Sequence, residues 1–283
     1  MSKLRRSERI VDLTQYFISH PHTLIPLSLF AERFQSAKSS ISEDIDIVQE
    51  MFKQRGIGEL ITLAGAAGGV KFIPKISKEE AEDSIITICK ELSHKERLLP
   101  GGYLYMSDII GNPNRLRQIG RMFASYFAHE AIDAVLTVET KGIPLAHATA
   151  NYLNVPVVIV RRDAKITEGS VVSINYLSGS SKRMQTMFLA RRALKENSNV
   201  LIIDDFMKVG GTIKGLIGLL KEFNANLKGI GVLVETDGAD ERLVENYVSL
   251  AKLVHVNEKD EMVDVQLGNY FERGKYNEVN LNK

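Results

Sequence analysis

A chain of 283 residues is longer than one average domain requires, so one internal boundary is expected. Its 36 Lys and Arg against 35 Asp and Glu leave a net charge of +1, which excludes a polybasic wrapper and confines any nucleic-acid surface to a local patch. A 44% hydrophobic content excludes compositional disorder, and no apolar run approaches the roughly 20 residues of a membrane-spanning helix, so no membrane partner is expected. The single cysteine and the lack of a signal-like apolar segment fit a reducing, cytoplasmic setting.

Residues 7–19 carry Ile10, Leu13 and Phe17 at helical spacing until His20-Pro21-His22 halts the run, which predicts a first helix. A short second helix, 27–34, places Leu27, Phe30 and Phe34 on one side after Pro26. A third begins at Ser39 or Ser40 with the stripe Ile41, Ile45, Val48 and Phe52; Ser40 with Glu43 forms a capping box, and Gly56 supplies the stop. Residues 59–63 and 70–73 then read as two strands around the glycine-rich tip 64–69. Helix, helix, helix, hairpin is the winged-helix order. Its third helix would lie in a major groove, presenting Lys38, Ser39, Ser40 and Ser42, while Lys3, Arg5, Arg6 and Arg9 would clamp the DNA backbone. An ordinary small bundle with a solvated basic start fits the pattern equally. The nine Lys or Arg and eight Asp or Glu of residues 1–74 do not choose between these readings.

Pro74 closes the hairpin, so the expected domains are 1–74 and 75–283. Ser77 with Glu80 opens a helix to about Leu92 in which Cys89 reads as a small core residue, and Asn112-Pro113 starts a helix reaching about Glu130. From there strand and helix alternate: 132–138, 144–153 and 155–160, then 200–203, 212–223 and 230–235. These two βαβ units predict an α/β domain built on a parallel sheet covered on both faces. The six histidines show no metal-ligand spacing, and no metal site is expected in the protein. From about Glu258 the chain reads as a polar tail docked by Tyr270 and Phe271.

The chemistry concentrates in residues 200–212, where an apolar strand runs into Asp204-Asp205-Phe206-Met207-Lys208-Val209-Gly210-Gly211-Thr212 before a helix. The carboxyl edge of such a sheet is where ligands bind. Amides of Lys208, Val209, Gly210, Gly211 and Thr212, together with the positive end of the helix, suit a phosphate dianion. Two aspartates repel that phosphate but suit the vicinal diol of a sugar attached to it. The residues thus ask for a ribose 5-phosphate.

This segment resembles the signature of the type I phosphoribosyltransferases, over roughly residues 100–240. The resemblance implies that the loop after the first strand, with Thr140, Lys141 and Gly142, binds the pyrophosphate of phosphoribosyl pyrophosphate (PRPP). It also implies that Mg²⁺ accompanies the ligand on its own oxygens, and that residues 161–192 form a loop closing over it. Tyr103 and Phe206 offer flat faces near such a ligand or serve as core. Lys208 and Val209 stand where active members carry small residues, and no base-binding hood is recognisable in residues 236–283.

Arg6-Ser7-Glu8-Arg9-Ile10-Val11, residues 38–44, Leu99-Pro100-Gly101-Gly102-Tyr103 and Thr167-Glu168-Gly169-Ser170 extend the likeness nearly end to end. Here the chain resembles the purine operon repressors of Gram-positive bacteria. That resemblance implies a homodimer that binds double-stranded operator DNA through its winged helix, represses genes of purine synthesis and salvage, and uses PRPP as inducer at a site without transferase activity. The competing expectation is an active purine phosphoribosyltransferase with an accessory N-terminal domain.

Overall fold

The computed structural model describes residues 4–65, 67–100, 103–164, 166–177, 183–237, 242–257 and 262–272. Lys3, Ala66, the Gly101-Gly102 pair, residues 165 and 178–182 of the segment expected to close over a ligand, and residues 258–261 and 273–283 lie outside the described residues. The chain divides into two compact units, residues 1–77 with 152–154, and 78–151 with 155–283.

The first unit is built on helical stripes that converge. α1 (Arg6–Ser19) buries Leu13 and Phe17, and β1 (Leu24–Ile25) leads into α2 (Leu27–Phe34), which buries Phe30 and Phe34. α3 (Lys38–Gln54) adds Ile41, Ile45, Val48 and Phe52 to the same apolar cluster. β2 (Gly58–Leu63) and β3 (Gly69–Pro74) form the hairpin, and β1, which the sequence pattern did not reveal, pairs antiparallel with β3 to give the order β1-β3-β2. Two residues are too few to show any period. The expected cap at Ser40 is corrected: α3 starts two residues earlier after an extended Ala37 with no side-chain cap, so Ser40 lies inside the first turn. Gly56 takes φ +61° after the helix, which is the stop its position suggested.

The second unit opens with α4 (Lys78–Leu92), the short ladder β4 (Leu98–Leu99) with β5 (Tyr103–Leu104), and α5 (Ser107–Gly111). α6 (Pro113–Tyr126) ends before the expected Glu130; its N-cap Asn112 accepts from the amides of Asn114 at 2.9 Å and Arg115 at 3.2 Å. There follow β6 (Ala134–Val138), α7 (Gly142–Leu153), β7 (Val157–Val160), and the hairpin β8 (Val171–Leu177) with β9 (Met184–Ala190). β10 (Asn199–Met207), α8 (Gly211–Glu222), β11 (Asn226–Thr236), β12 (Val248–Asn257) and β13 (Met262–Leu267) complete the unit. Among the described residues the main sheet runs β13-β12-β11-β10-β6-β7, parallel except for the β12–β13 pair. Val135, Leu136, Val200, Leu201, Ile202, Val232 and Leu233 are fully enclosed in it, as a sheet covered on both faces requires.

Two further expectations are corrected. β10 does not stop at Ile203 but carries the acids within it, because Asp204 and Phe206 stay paired with Val232 and Val234 of β11. The chain beyond Glu258 is not all tail: β13 pairs antiparallel with β12, and the fully buried Tyr270 donates its hydroxyl to the Met122 carbonyl at 2.9 Å.

Candidate functional site

The carboxyl ends of β6 and β10 lie side by side in the sheet, and each runs into the N-terminus of a helix. Asp204 is buried and accepts the Asp205 amide at 3.0 Å. Burial, then the charge of Asp205, holds the Asp204 carboxyl well above the ordinary carboxylate range. Burial also raises Asp205, opposed by its hydrogen bond with Asp204 and by the charges of Lys141 and Arg162. A buried carboxyl next to a half-buried one is expensive to keep without partners for their oxygens.

The turn from β10 into α8 has its backbone pinned from behind. Gly210 is the N-cap at φ +93°, a conformation L side chains rarely adopt, and a Cβ there would meet Val244 Cγ2 at 3.2 Å. The Val209 carbonyl accepts the Leu243 amide at 3.0 Å, and the Lys208 carbonyl accepts Thr236 Oγ1 at 3.4 Å. Lys208, Val209, Gly210, Gly211 and Thr212 therefore form a fixed loop at a helix N-terminus, the geometry that receives phosphate.

The loop of Thr140, Lys141 and Gly142 meets the acid pair. At Gly142, the first residue of α7, a Cβ would collide with Thr137 Oγ1 and lie 3.1 Å from Asp204 Oδ1, so only glycine allows this approach. The Thr140 carbonyl accepts the Ile143 amide at 3.3 Å. A cation at Lys141, two carboxylates and the start of a helix are thus gathered at one sheet edge.

Three residues of this edge escaped the sequence reading. Arg162 donates its amide to Glu139 Oε1 at 2.7 Å and Nη1 to Gln185 Oε1 at 3.3 Å, and its charge acts on both aspartates. The Tyr176 hydroxyl donates to the same Gln185 oxygen at 2.6 Å and lies within side-chain hydrogen-bonding contact of Thr212; burial raises its pKa. Gly215 lets the ring in, since a Cβ there would stand 2.9 Å from Tyr176 Cγ. The alternation Val172, Ile174, Tyr176 with Ser173 and Asn175 between them was the available signal for a strand. Phe206 is half-buried at the end of β10, while Tyr103 is exposed on β5, outside the main sheet. Cys89 is core, as expected, its thiol pushed up to about 11 by burial and donated to the Gln266 carbonyl.

In the first unit, Lys38, Ser39 and Ser42 are exposed at the N-terminus of α3, Ser40 is half-exposed beside them, and Arg5 is exposed just before α1. Arg9 is a correction. It is buried, with Nε 2.8 Å from Oδ2 of the buried Asp44, and is a strut between α1 and α3 rather than a clamp on a phosphate. Arg6 is half-exposed and shared: its Nε lies 3.0 Å from Asp44 Oδ1 and its Nη2 3.7 Å from Glu43. The basic start looked free because α3, which supplies the acids, is some 35 residues away in sequence.

Comparison with known proteins agrees with both units. Residues 5–74 match the family model described as bacterial purine repressor, N-terminal, and residues 106–266 match the phosphoribosyl transferase domain. The chain is 61% identical over 95% of its length to the purine biosynthesis transcriptional repressor PurR of Bacillus subtilis, covering 94% of that protein. It is 43% identical over 95% of its length to the purine biosynthesis transcriptional activator PurR of Lactococcus lactis, covering 99% of it. Among solved structures, the adenine phosphoribosyltransferase of Giardia lamblia superposes with a TM-score of 0.53 at 23% identity, over 60% of this chain and 98% of that one, a likeness of fold.

Proposed function

The chain belongs to the family of bacterial purine biosynthesis transcriptional regulators that join a purine-repressor N-terminal domain to a phosphoribosyltransferase domain, and from that membership we propose that it is a DNA-binding repressor of purine synthesis and salvage genes induced by PRPP. Repression is favoured over activation because the relative named a repressor shares 61% of residues and the one named an activator 43%. The observation that carries the ligand is the meeting of the Lys141–Gly142 loop with Asp204, beside a phosphate loop whose Gly210 is left-handed. In this reading Asp204 and Asp205 hold the ribose diol, residues 208–212 the 5-phosphate, and Thr140, Lys141 and Gly142 the pyrophosphate. Mg²⁺ would ride on the ligand's oxygens; a site with two carboxylates already committed to a diol suits an ion that keeps most of its shell from water and ligand. A working homodimer in the cytoplasm, where PRPP is made and spent, completes the proposal.

The logic is metabolic. Purine synthesis consumes PRPP and base salvage depletes it, so a repressor released by PRPP silences synthesis when bases are plentiful. Coupling of about 1–3 kcal/mol between the two ligands is enough. Calorimetry should find one PRPP bound per chain, and none bound would overturn the inducer.

Two further outcomes separate this reading from an enzyme. Assays with adenine, guanine, hypoxanthine or xanthine, PRPP and Mg²⁺ should show no turnover, because positioning of the second reactant supplies much of the rate of such a displacement; turnover at ordinary enzyme rates contradicts the sensor. Operator affinity should fall steeply with salt, each phosphate neutralised by Arg5, Lys38 and their neighbours adding about 0.9 to the log–log slope. Arg5→Glu with Lys38→Glu should weaken binding to every duplex alike and leave PRPP affinity intact; a flat salt profile contradicts the assignment.

A further inference from the structure

Behind the phosphate loop lies a buried charged network that the ligand reading does not use. Glu235, buried at the end of β11 and paired in register with Met207, accepts three donors: Tyr247 Oη at 2.5 Å, Ser249 Oγ at 2.6 Å and Arg242 Nη2 at 2.7 Å. The same Arg242 nitrogen reaches the Thr236 carbonyl at 2.6 Å, and the guanidinium lies over the Tyr247 ring at 5.3 Å. A buried carboxylate without its cation is costly, so Glu235 fixes where Arg242 must sit.

Arg242 leads directly into the residues that brace the loop. The next two residues are the ones that hold the phosphate loop: the Leu243 amide donates to the Val209 carbonyl, and Val244 packs 3.2 Å from where a Cβ of Gly210 would be. Thr236, whose carbonyl Arg242 ties down, supplies the hydroxyl on the Lys208 carbonyl. Among the described residues, the Leu243 amide and the Thr236 hydroxyl, which hold residues 209 and 208, are therefore each one residue from a member of the Arg242–Glu235 pair, and Val244 is two. We propose that Arg242, locked by Glu235, is a positioning residue that preorganises the phosphate loop, so that loop order need not be created when the 5-phosphate binds. A loop already held in its binding form loses less conformational freedom on association, which raises affinity without a new contact to the ligand. The proposal rests on the reading of residues 208–212 as the 5-phosphate site.

The test measures PRPP affinity by calorimetry, and ribose 5-phosphate and inorganic pyrophosphate by competition, for the full chain and for Arg242→Ala, Arg242→Lys, Gly210→Ala and the Arg242→Ala/Gly210→Ala double variant. Melting temperature and operator binding report folding. Arg242→Ala should weaken PRPP and ribose 5-phosphate by roughly ten- to a hundredfold and leave pyrophosphate unchanged, with Arg242→Lys recovering part of the loss. The double variant should lose little more than the worse single one, since both disorder the same loop. Should Arg242→Ala weaken ribose 5-phosphate and pyrophosphate alike, or add its full effect to that of Gly210→Ala, its role is general stability and the proposal is wrong. Arg242→Lys supplies the same comparison if the Ala variant does not fold. A parent chain that binds pyrophosphate but not ribose 5-phosphate overturns the site reading itself, a result distinct from either.

Discussion

Replacing Asp204 and Asp205 together by Ala should give a folded protein that binds operator DNA as tightly as the parent and no longer releases it at PRPP concentrations that free the parent. Each carboxylate would lose charge-assisted hydrogen bonds worth roughly 1.5–3 kcal/mol, enough to lower PRPP affinity by two or more orders of magnitude. The residues proposed to face DNA belong to the first unit, so the two activities should separate. Stability should move the other way. Both carboxyls titrate above their ordinary range in the folded chain, so the fold favours their neutral forms and is penalised as pH rises through those raised values. The double variant is relieved of that penalty at neutral pH, and its advantage should vanish in acid, below the unfolded carboxylate range. A urea titration at both pH values checks the sign. In cells the variant represses permanently. Loss of operator binding by the folded variant, or release at the parental PRPP concentration, would contradict the assignment.

Arg9→Ala should strongly destabilise the N-terminal unit. The Arg9 and Asp44 side chains are 11% and 1% exposed, so truncating the arginine leaves a buried carboxylate that, among the described residues, keeps the half-exposed Arg6 as its ion-pair partner. Breaking such a pair costs roughly 3–5 kcal/mol, a large share of what holds a unit of this size together. Replacing both partners by apolar residues, Arg9→Met with Asp44→Leu, should restore most of the loss, because neither charge then needs a partner. Denaturant unfolding of the full chain followed through the first unit provides the measurement. If Arg9→Ala leaves that transition in place while abolishing operator binding, Arg9 touches DNA and is no strut.

The contrast between these two sites shows what a sequence discloses. Asp204, Asp205, Gly210, Gly211 and Thr212 are adjacent in the chain, and their chemistry is local: a strand end, two acids and a helix start lie within nine residues. Such a cluster can be read from the sequence alone as a candidate ligand site. Arg162, Tyr176 and Gln185 join the same edge through long-range pairing of β7, β8 and β9, which no local period reports. The strut from Arg9 to Asp44 is likewise a partnership across sequence, and the lock from Arg242 to Glu235, though only seven residues apart, carries no period or motif that announces it. Strand β12 was missed for a different reason. Its alternation starts with Val248 and Leu250 but breaks at Lys252, and without a crossover helix between β11 and β12 the βαβ grammar gave no cue for another parallel strand.

The most direct test is a titration of PRPP with Mg²⁺ into the complex of the parent protein with a labelled duplex from the control region of a purine synthesis gene, followed by fluorescence anisotropy at fixed salt. The account predicts that anisotropy falls to that of free DNA over the concentration range in which calorimetry shows PRPP filling its site. If PRPP fills the site while the DNA stays bound, or is bound more tightly, PRPP is not the inducer.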